Sequence, residues 1–306
     1  MFKHIAVGSD GSPAGRDAVA LGEAVAAATG ARLSLVGVFP PSFLPIPGMT
    51  DRKTMRAQVT RMLREERDQL APDASVHTVA DSSAARALRH YARRAHADLV
   101  VVGSSHSAEP GHVKVGRTGR QLLYDAPFAL ALAAHGLHER TPKLRKVGVG
   151  FDGCPEAEAA LPIAAELAQE AHAKLLVRSV VEDRVPVLSG EAWIGLGDWS
   201  HEQVWLEARD SAQAEAQEAV ARLDLPAEVS ATLGDPGYEM RAFSNTVDLV
   251  VVGSRRWGPV ARLVTGGVGE TLVTDAGCSV LIVRRPAASR RGRNAAGREA
   301  RRPAVA

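Results

Sequence analysis

Cysteine is scarce in this chain: Cys154 and Cys278 are the two in 306 residues. Two cysteines build no disulfide framework, which points to a reducing compartment, and the cytoplasm is the expected location. Long apolar runs are missing as well. Stretches such as 99–103 and 128–134 fall far short of the ~20 residues that a membrane-spanning helix needs. The N-terminus reads as a strand beginning within a few residues of Met1, without the long apolar core and cleavage site of a signal peptide. No Gly-x-Gly-x-x-Gly begins after the first strand of either half, which disfavours a dinucleotide enzyme, and a P-loop ending in Lys and Ser or Thr is absent. His135 with His138, and His106 with His112, have no carboxylate or thiolate set in register, so no metal site of the protein's own is expected.

What is present is ordinary globular material. Hydrophobic residues make up 45% and charged residues 24%, enough for two real cores at this length. The net charge of +2 conceals an asymmetry. Residues 284–306 carry eight arginines and one glutamate, while the remainder holds 29 basic and 34 acidic residues. The body is mildly acidic and gives no support for nucleic-acid binding. The Arg-rich tail, 285–306, lacks apolar periodicity and is expected to be a disordered, solvated extension.

A repeat decides the fold. Residues 3–38 align without a gap on 145–180, so that Val7-Gly8-Ser9-Asp10-Gly11-Ser12-Pro13 faces Val149-Gly150-Phe151-Asp152-Gly153-Cys154-Pro155. A second block repeats Asp98-Leu-Val-Val-Val-Gly103-Ser104 as Asp248-Leu-Val-Val-Val-Gly253-Ser254, and Asp125-Ala126 as Asp275-Ala276. Each half alternates strand and helix. In the first, strands are expected over 5–7, 33–38, 75–79, 99–102 and 128–133, with helices from Ser12, over 55–70 and 84–95, and starting at 116–124. Continuous Val, Leu and Ala strands between helices indicate an α/β fold of two tandem open parallel five-stranded sheets with helices on both faces. The expected organisation is a domain over 1–134, a linker over 135–144, a domain over 145–284, and the tail.

With those motifs the chain resembles the universal stress proteins, an adenine nucleotide alpha hydrolase-like fold. The marks are a first strand ending near an Asp, a fourth strand ending in Val-Val-Gly-Ser, and a glycine pattern of Gly, two residues, Gly, nine residues, Gly, then Ser or Thr. The resemblance implies that the Asp and the end of the second strand contact adenine and ribose, and that the glycine pattern wraps phosphates. It places these roles on Asp10, Val38, Gly103 and Gly116, and on Asp152, Val180, Gly253 and Gly266. The implied ligand is ATP or a related adenine nucleotide, with magnesium only as the counter-ion of ATP. Independently of the name, ligands of open α/β sheets bind at carboxyl ends of strands where strand order reverses.

The departures from the pattern matter. The second glycine is His106 in one half and Arg256 in the other; the final hydroxyl residue is Arg117 and Gly267, with Thr118 and Thr265 adjacent. Arginine in place of glycine blocks the phosphate cradle or supplies it with charge. Gly266-Gly267-Val268-Gly269 leaves the backbone open, whereas Arg117 is bulky, so the second half is the favoured site. Arg256 is expected to lean toward that site. Asp10 and Asp152 have no paired nucleophile or second acid, so no catalytic residue is assigned. Cys154, at a helix start where Ser12 stands in the other half, is read as a cap. Three functions follow in order: a nucleotide-binding stress or regulatory protein with little turnover; a ligand-free interaction module; and a slow ATP hydrolase. The last strand of each half carries no charge, so the two are expected to pair as an internal pseudo-dimer, with a homodimer as a further assembly. Residues 185–200, with Trp193, Ile194, Leu196 and Trp199, are expected to cover a pocket mouth or the seam.

Overall fold

The central strands of each half are short apolar runs buried on both faces, and the outer strand, third in each half, is more exposed. In the first half the strands are β1 (His4–Gly8), β2 (Arg32–Phe39), β3 (Ser75–Ala80), β4 (Leu99–Gly103) and β5 (Ala129–Ala133). They alternate with α1 (Pro13–Thr29), α2 (Arg52–Leu70), α3 (Ala84–Ala95) and α4 (Arg117–Leu123). The second half repeats the plan with β6 (Lys146–Gly150), α5 (Pro155–Glu170), β7 (Lys174–Val181), α6 (His201–Ala221), β8 (Ala227–Leu233), α7 (Pro236–Ser244), β9 (Leu249–Gly253), α8 (Val268–Asp275) and β10 (Ser279–Val283). This computed structural model describes residues 1–41, 52–124, 127–140, 142–182, 201–223, 225–254 and 267–284. The segment 185–200, Arg256, Thr265, Gly266 and the Arg-rich tail, each given an expectation above, lie outside the described residues.

Within each half all strand pairs are parallel, in the orders β3-β2-β1-β4-β5 and β8-β7-β6-β9-β10. The two five-stranded sheets do not stand apart. β10 pairs antiparallel with β5, setting Val280 opposite Leu132, Leu281 opposite Ala131 and Ile282 opposite Leu130. The result is one ten-stranded mixed sheet, with the seam between the two uncharged strands singled out in the sequence. Its hydrophobic core forms two layers, one on each face, and both run through the seam: Ala131 and Leu281 lie in one, Leu132 and Val280 in the other.

The repeated sequence blocks have local causes. Asp98, which precedes β4, accepts from the amides of Lys3 (2.8 Å) and His4 (3.1 Å) and so ties the start of β4 to that of β1. Asp248 accepts from Arg145 and Lys146, both at 2.8 Å, in the same way. Ser12 caps α1 by accepting from Gly15 N at 3.1 Å, and Cys154 Sγ caps α5 by accepting from Ala157 N at 3.4 Å. The cap reading of Cys154 therefore holds, and it follows from its place before Pro155. The polar segment after β5 is bound to the body. A 3₁₀ turn over Leu137–Glu139 docks on α1, where the wholly buried Asp17 accepts from Gly136 N (2.9 Å), His138 N (2.9 Å) and His138 Nδ1 (2.6 Å).

Candidate functional site

In the order β3-β2-β1-β4-β5 the chain leaves β1 in opposite directions, so the loops after β1 and β4 diverge and open a crevice at their carboxyl ends. A cavity of about 460 Å³ occupies that crevice in the first half. Its apolar side is made by Val36 and Val38 of β2, Leu88 of α3 and Val102 of β4. Its polar rim holds Asp10 after β1, Asp81 and Ser82 after β3, Ser104 after β4, and the stretch Gly116–Gly119 at the start of α4. That volume falls in the range that holds a drug-sized organic ligand.

Asp10 is exposed at the carboxyl end of β1, and its Oδ1 accepts from Ser12 N (3.1 Å) and the Ser12 hydroxyl (2.5 Å). Asp152 sits at the matching place after β6, with Cys154 N donating to its Oδ1 at 3.3 Å. Asp10, Val38, Gly103, Gly116 and Thr118 all line the cavity. His106 does not: it lies exposed in the turn beyond Ser104, outside the lining. Val180 is half-buried on β7, Val268 is half-buried at the start of α8, and Gly267 caps that helix with open space around its Cα.

The structure supplies a packing reason for Gly103 besides the ligand role that the resemblance implies. A Cβ at Gly103 would overlap the carbonyl of Ala14, and one at Gly253 the carbonyl of Glu156. Each fourth strand ends in glycine because the first turn of the first helix of its half, α1 or α5, crosses it in contact. Gly148-Val149-Gly150-Phe151-Asp152-Gly153 has dinucleotide-loop spacing, yet Gly148 and Gly150 lie inside β6, facing Phe243 and Met240. In a dinucleotide loop these glycines form the turn instead. Similarly, Gly111 through Thr118 has P-loop spacing with Arg117 in place of lysine. Its amides are spent elsewhere: Gly111 N donates to His135 O, Val113 N to Ala276 O, and Val115 N to Val273 O, all between 2.7 and 2.8 Å.

Asp81 escaped the sequence reading. Arg86 donates to both of its oxygens (2.9 and 2.5 Å) and Ser83 N to Oδ1 (2.8 Å), and the Arg86 hydrogen bonds foremost hold its carboxyl below the usual carboxylate range. The signal was Asp-Ser-Ser at a strand end, which looks the same as an ordinary helix cap.

The second half differs at the corresponding wall. Arg178 occupies the repeat position of Val36, with its guanidinium carbon 5.1 Å from the centre of the Phe243 ring. Its Nε, and the hydroxyl of Thr232 on the adjacent strand, are buried with no hydrogen-bond partner among the described residues.

The family model for the universal stress protein family matches residues 1–133 and again 143–284. The chain belongs to the universal stress protein family. Over 139 residues it is 31% identical to a Thermus aquaticus protein, the universal stress protein in the QAH/OAS sulfhydrylase 3' region, covering 44% of this chain and 96% of the relative. The tandem fold recurs in a universal stress protein from Archaeoglobus fulgidus, with a TM-score of 0.62 at 12% identity over 92% of this chain and 96% of that one. It recurs also in a functionally unknown Pseudomonas aeruginosa protein, with a TM-score of 0.63 at 14% identity over 93% of each chain. Within this family member, no helix among the described residues is long and apolar enough to cross a membrane.

Proposed function

We propose that the chain is a cytoplasmic stress-response or regulatory protein that binds ATP or a related adenine nucleotide in its first half, without efficient turnover. One observation carries this reading: the cavity at the strand-order reversal combines an apolar lining with carboxylates, hydroxyls and a basic group. The slot between Val36, Val38 and Leu88 suits the faces of a purine. Asp10 is placed to accept from ribose hydroxyls. Ser104, Thr118 and Arg117 border the side where phosphate charge is stabilised.

The sequence favoured the second half because its glycines leave the backbone open. Part of that glycine stretch lies outside the described residues, and Arg178 argues the other way. A guanidinium stands there at the repeat position of Val36, against the Phe243 ring, and puts a charged donor on the wall that in the first half is apolar. The first half is therefore the proposed site. Little turnover is expected because the two rim carboxylates are already engaged, Asp10 by Ser12 and Asp81 by Arg86, which leaves neither as a poised base.

Calorimetric titration of ATP with and without magnesium tests the reading. Saturable binding is expected at one site per chain, weakened about tenfold by Asp10→Ala, in line with the loss of a charge-assisted hydrogen bond. Arg178→Val is expected to leave that affinity unchanged. Absence of saturation at millimolar ATP would overturn the proposal, and rapid phosphate release would overturn its non-enzymatic part.

A further inference from the structure

The loop between β4 and α4 begins and ends at the cavity, yet its middle belongs to the other half. Ser104 and Gly116 line the cavity. The base of the loop is closed by Ser105 N donating to Lys114 O at 2.6 Å and Lys114 N to the Ser104 hydroxyl at 3.4 Å. From that base the arm Gly111–Val115 crosses the seam to the C-terminal end of α8. There Val113 N donates to Ala276 O at 2.8 Å and Val115 N to Val273 O at 2.7 Å. Helix ends leave carbonyls without intrahelical donors, and these two loop amides satisfy such groups. Val113 is wholly buried, in the same core layer as Leu272, Val273 and Ala276.

A side chain secures the crossing. Asp275, the last residue of α8, accepts from Arg241 Nε of α7 at 2.6 Å through Oδ2 and faces His112 Nδ1 at 3.1 Å through Oδ1. Arg241 thus fixes the carboxylate from within the second half, and the carboxylate fixes the loop of the first. Two residues beyond the anchored Val113–Val115 arm, the chain turns into Arg117 and Thr118 on the cavity rim.

We infer that Asp275 of the second half is a positioning residue for the first-half cavity: it holds the β4–α4 loop so that the Gly116–Thr118 rim stands ready for the phosphate end of a ligand. This rests on the nucleotide reading of that cavity. It makes the first site incomplete without the second half, and so accounts for a duplication in which one half supplies the cavity and the other its brace.

The test uses the full-length chain and three variants, Asp275→Ala, Asp275→Asn and Arg241→Gln, each read in two ways. Hydrogen exchange of the Val113 and Val115 amides in the ligand-free protein is expected to quicken at least tenfold in Asp275→Ala and less in Asp275→Asn, which keeps an acceptor for one partner. ATP affinity is expected to fall about fivefold in Asp275→Ala while adenosine affinity stays the same, because the loop borders the phosphate end alone. Arg241→Gln should lie between. Unchanged exchange at both amides overturns the positioning role whatever the ligand result. Equal losses for ATP and adenosine also overturn it, since a general loosening of the fold would act on both. A wild type that binds neither ligand sinks the nucleotide reading, and the exchange measurement then decides the anchoring by itself.

Discussion

Gly103 passes so close beneath the first turn of α1 that a Cβ on it would overlap the carbonyl oxygen of Ala14, and Gly253 stands in the same relation to Glu156. Backbone cannot rotate away as a side chain can, so Gly103→Ala is expected to cost about 3 kcal/mol, the upper end of overpacking penalties. At Gly116 the nearest atom to such a Cβ is Ser105 Cα at 3.8 Å, an ordinary contact. Gly116→Ala is therefore expected to cost no more than about 0.5 kcal/mol, the scale of a lost N-cap preference. Urea denaturation of the two variants separates them. Equal stabilities would show that Gly103 is not held by packing.

Asp17 is the second place where a single side chain carries much of a connection. Its carboxylate serves two backbone amides and the His138 ring, so Asp17→Ala leaves three donors without an acceptor in a buried setting. A loss of about 2–4 kcal/mol is expected from orphaned buried donors. Trypsin should then cut at Arg140 and Lys143 faster than in wild type. Cleavage at an unchanged rate would mean that the segment is held by something other than this carboxylate.

Much of this was legible in the sequence, and the exceptions share a cause. The central strands were readable because short Val, Leu and Ala runs alternating with helical stretches indicate a parallel sheet covered on both faces. The β5–β10 seam was readable from two strands without charge. Asp10, Val38 and Gly103 line the cavity from the ends of strands, and Gly116 and Thr118 from the start of α4, all positions singled out by the resemblance or the departures from its pattern. Asp81 and Arg178 were not, since their meaning depends on which residue faces them across the crevice. The anchoring of His112 by Asp275 was hidden for the same reason: it joins residues 163 apart that no local pattern relates.

Glu66 of α2 is 2% exposed, and among the described residues no group meets either of its carboxyl oxygens in hydrogen-bond geometry. Burial pushes its pKa above the ordinary 4.5; the Ser9 hydroxyl, Arg16 and His138 oppose the rise, and Asp10 adds to it. A carboxyl with a raised folded-state pKa makes the folded protein bind more protons than the unfolded chain. Its contribution to stability is complete below about pH 4.5 and is lost as pH rises through the raised value. Glu66→Gln keeps the shape and removes the ionisation. Its melting temperature should match wild type near pH 4 and exceed it by a margin that grows as pH rises from the ordinary 4.5 through the raised folded-state value. A difference that does not vary with pH would show that Glu66 ionises at its ordinary value in the folded protein.

The seam makes a last prediction about assembly and cooperativity. A parallel five-stranded sheet ending in an uncharged strand such as β5 exposes a row of backbone donors and acceptors that attracts a second strand. Here β10 supplies that strand within the chain, and the outer edges of the ten-stranded sheet are β3 and β8 instead. Those edges carry His77 on one side and Glu228 on the other, charged or polar groups that discourage pairing between copies. Sedimentation velocity at micromolar concentration is therefore expected to show a monomer. Because both core layers cross the seam, the two halves should also unfold together, in one calorimetric transition. Leu132 is wholly buried in the seam, opposite Val280. Leu132→Lys places an ammonium among apolar side chains, at a cost of several kcal/mol that opening the seam relieves. The variant should unfold in two transitions and show a new tendency to dimerise through the exposed β10 edge. Two transitions already present in wild type would mean that the halves are not coupled, and a single one retained by the variant would mean that they are coupled by the crossing loop and the linker rather than by β5 and β10.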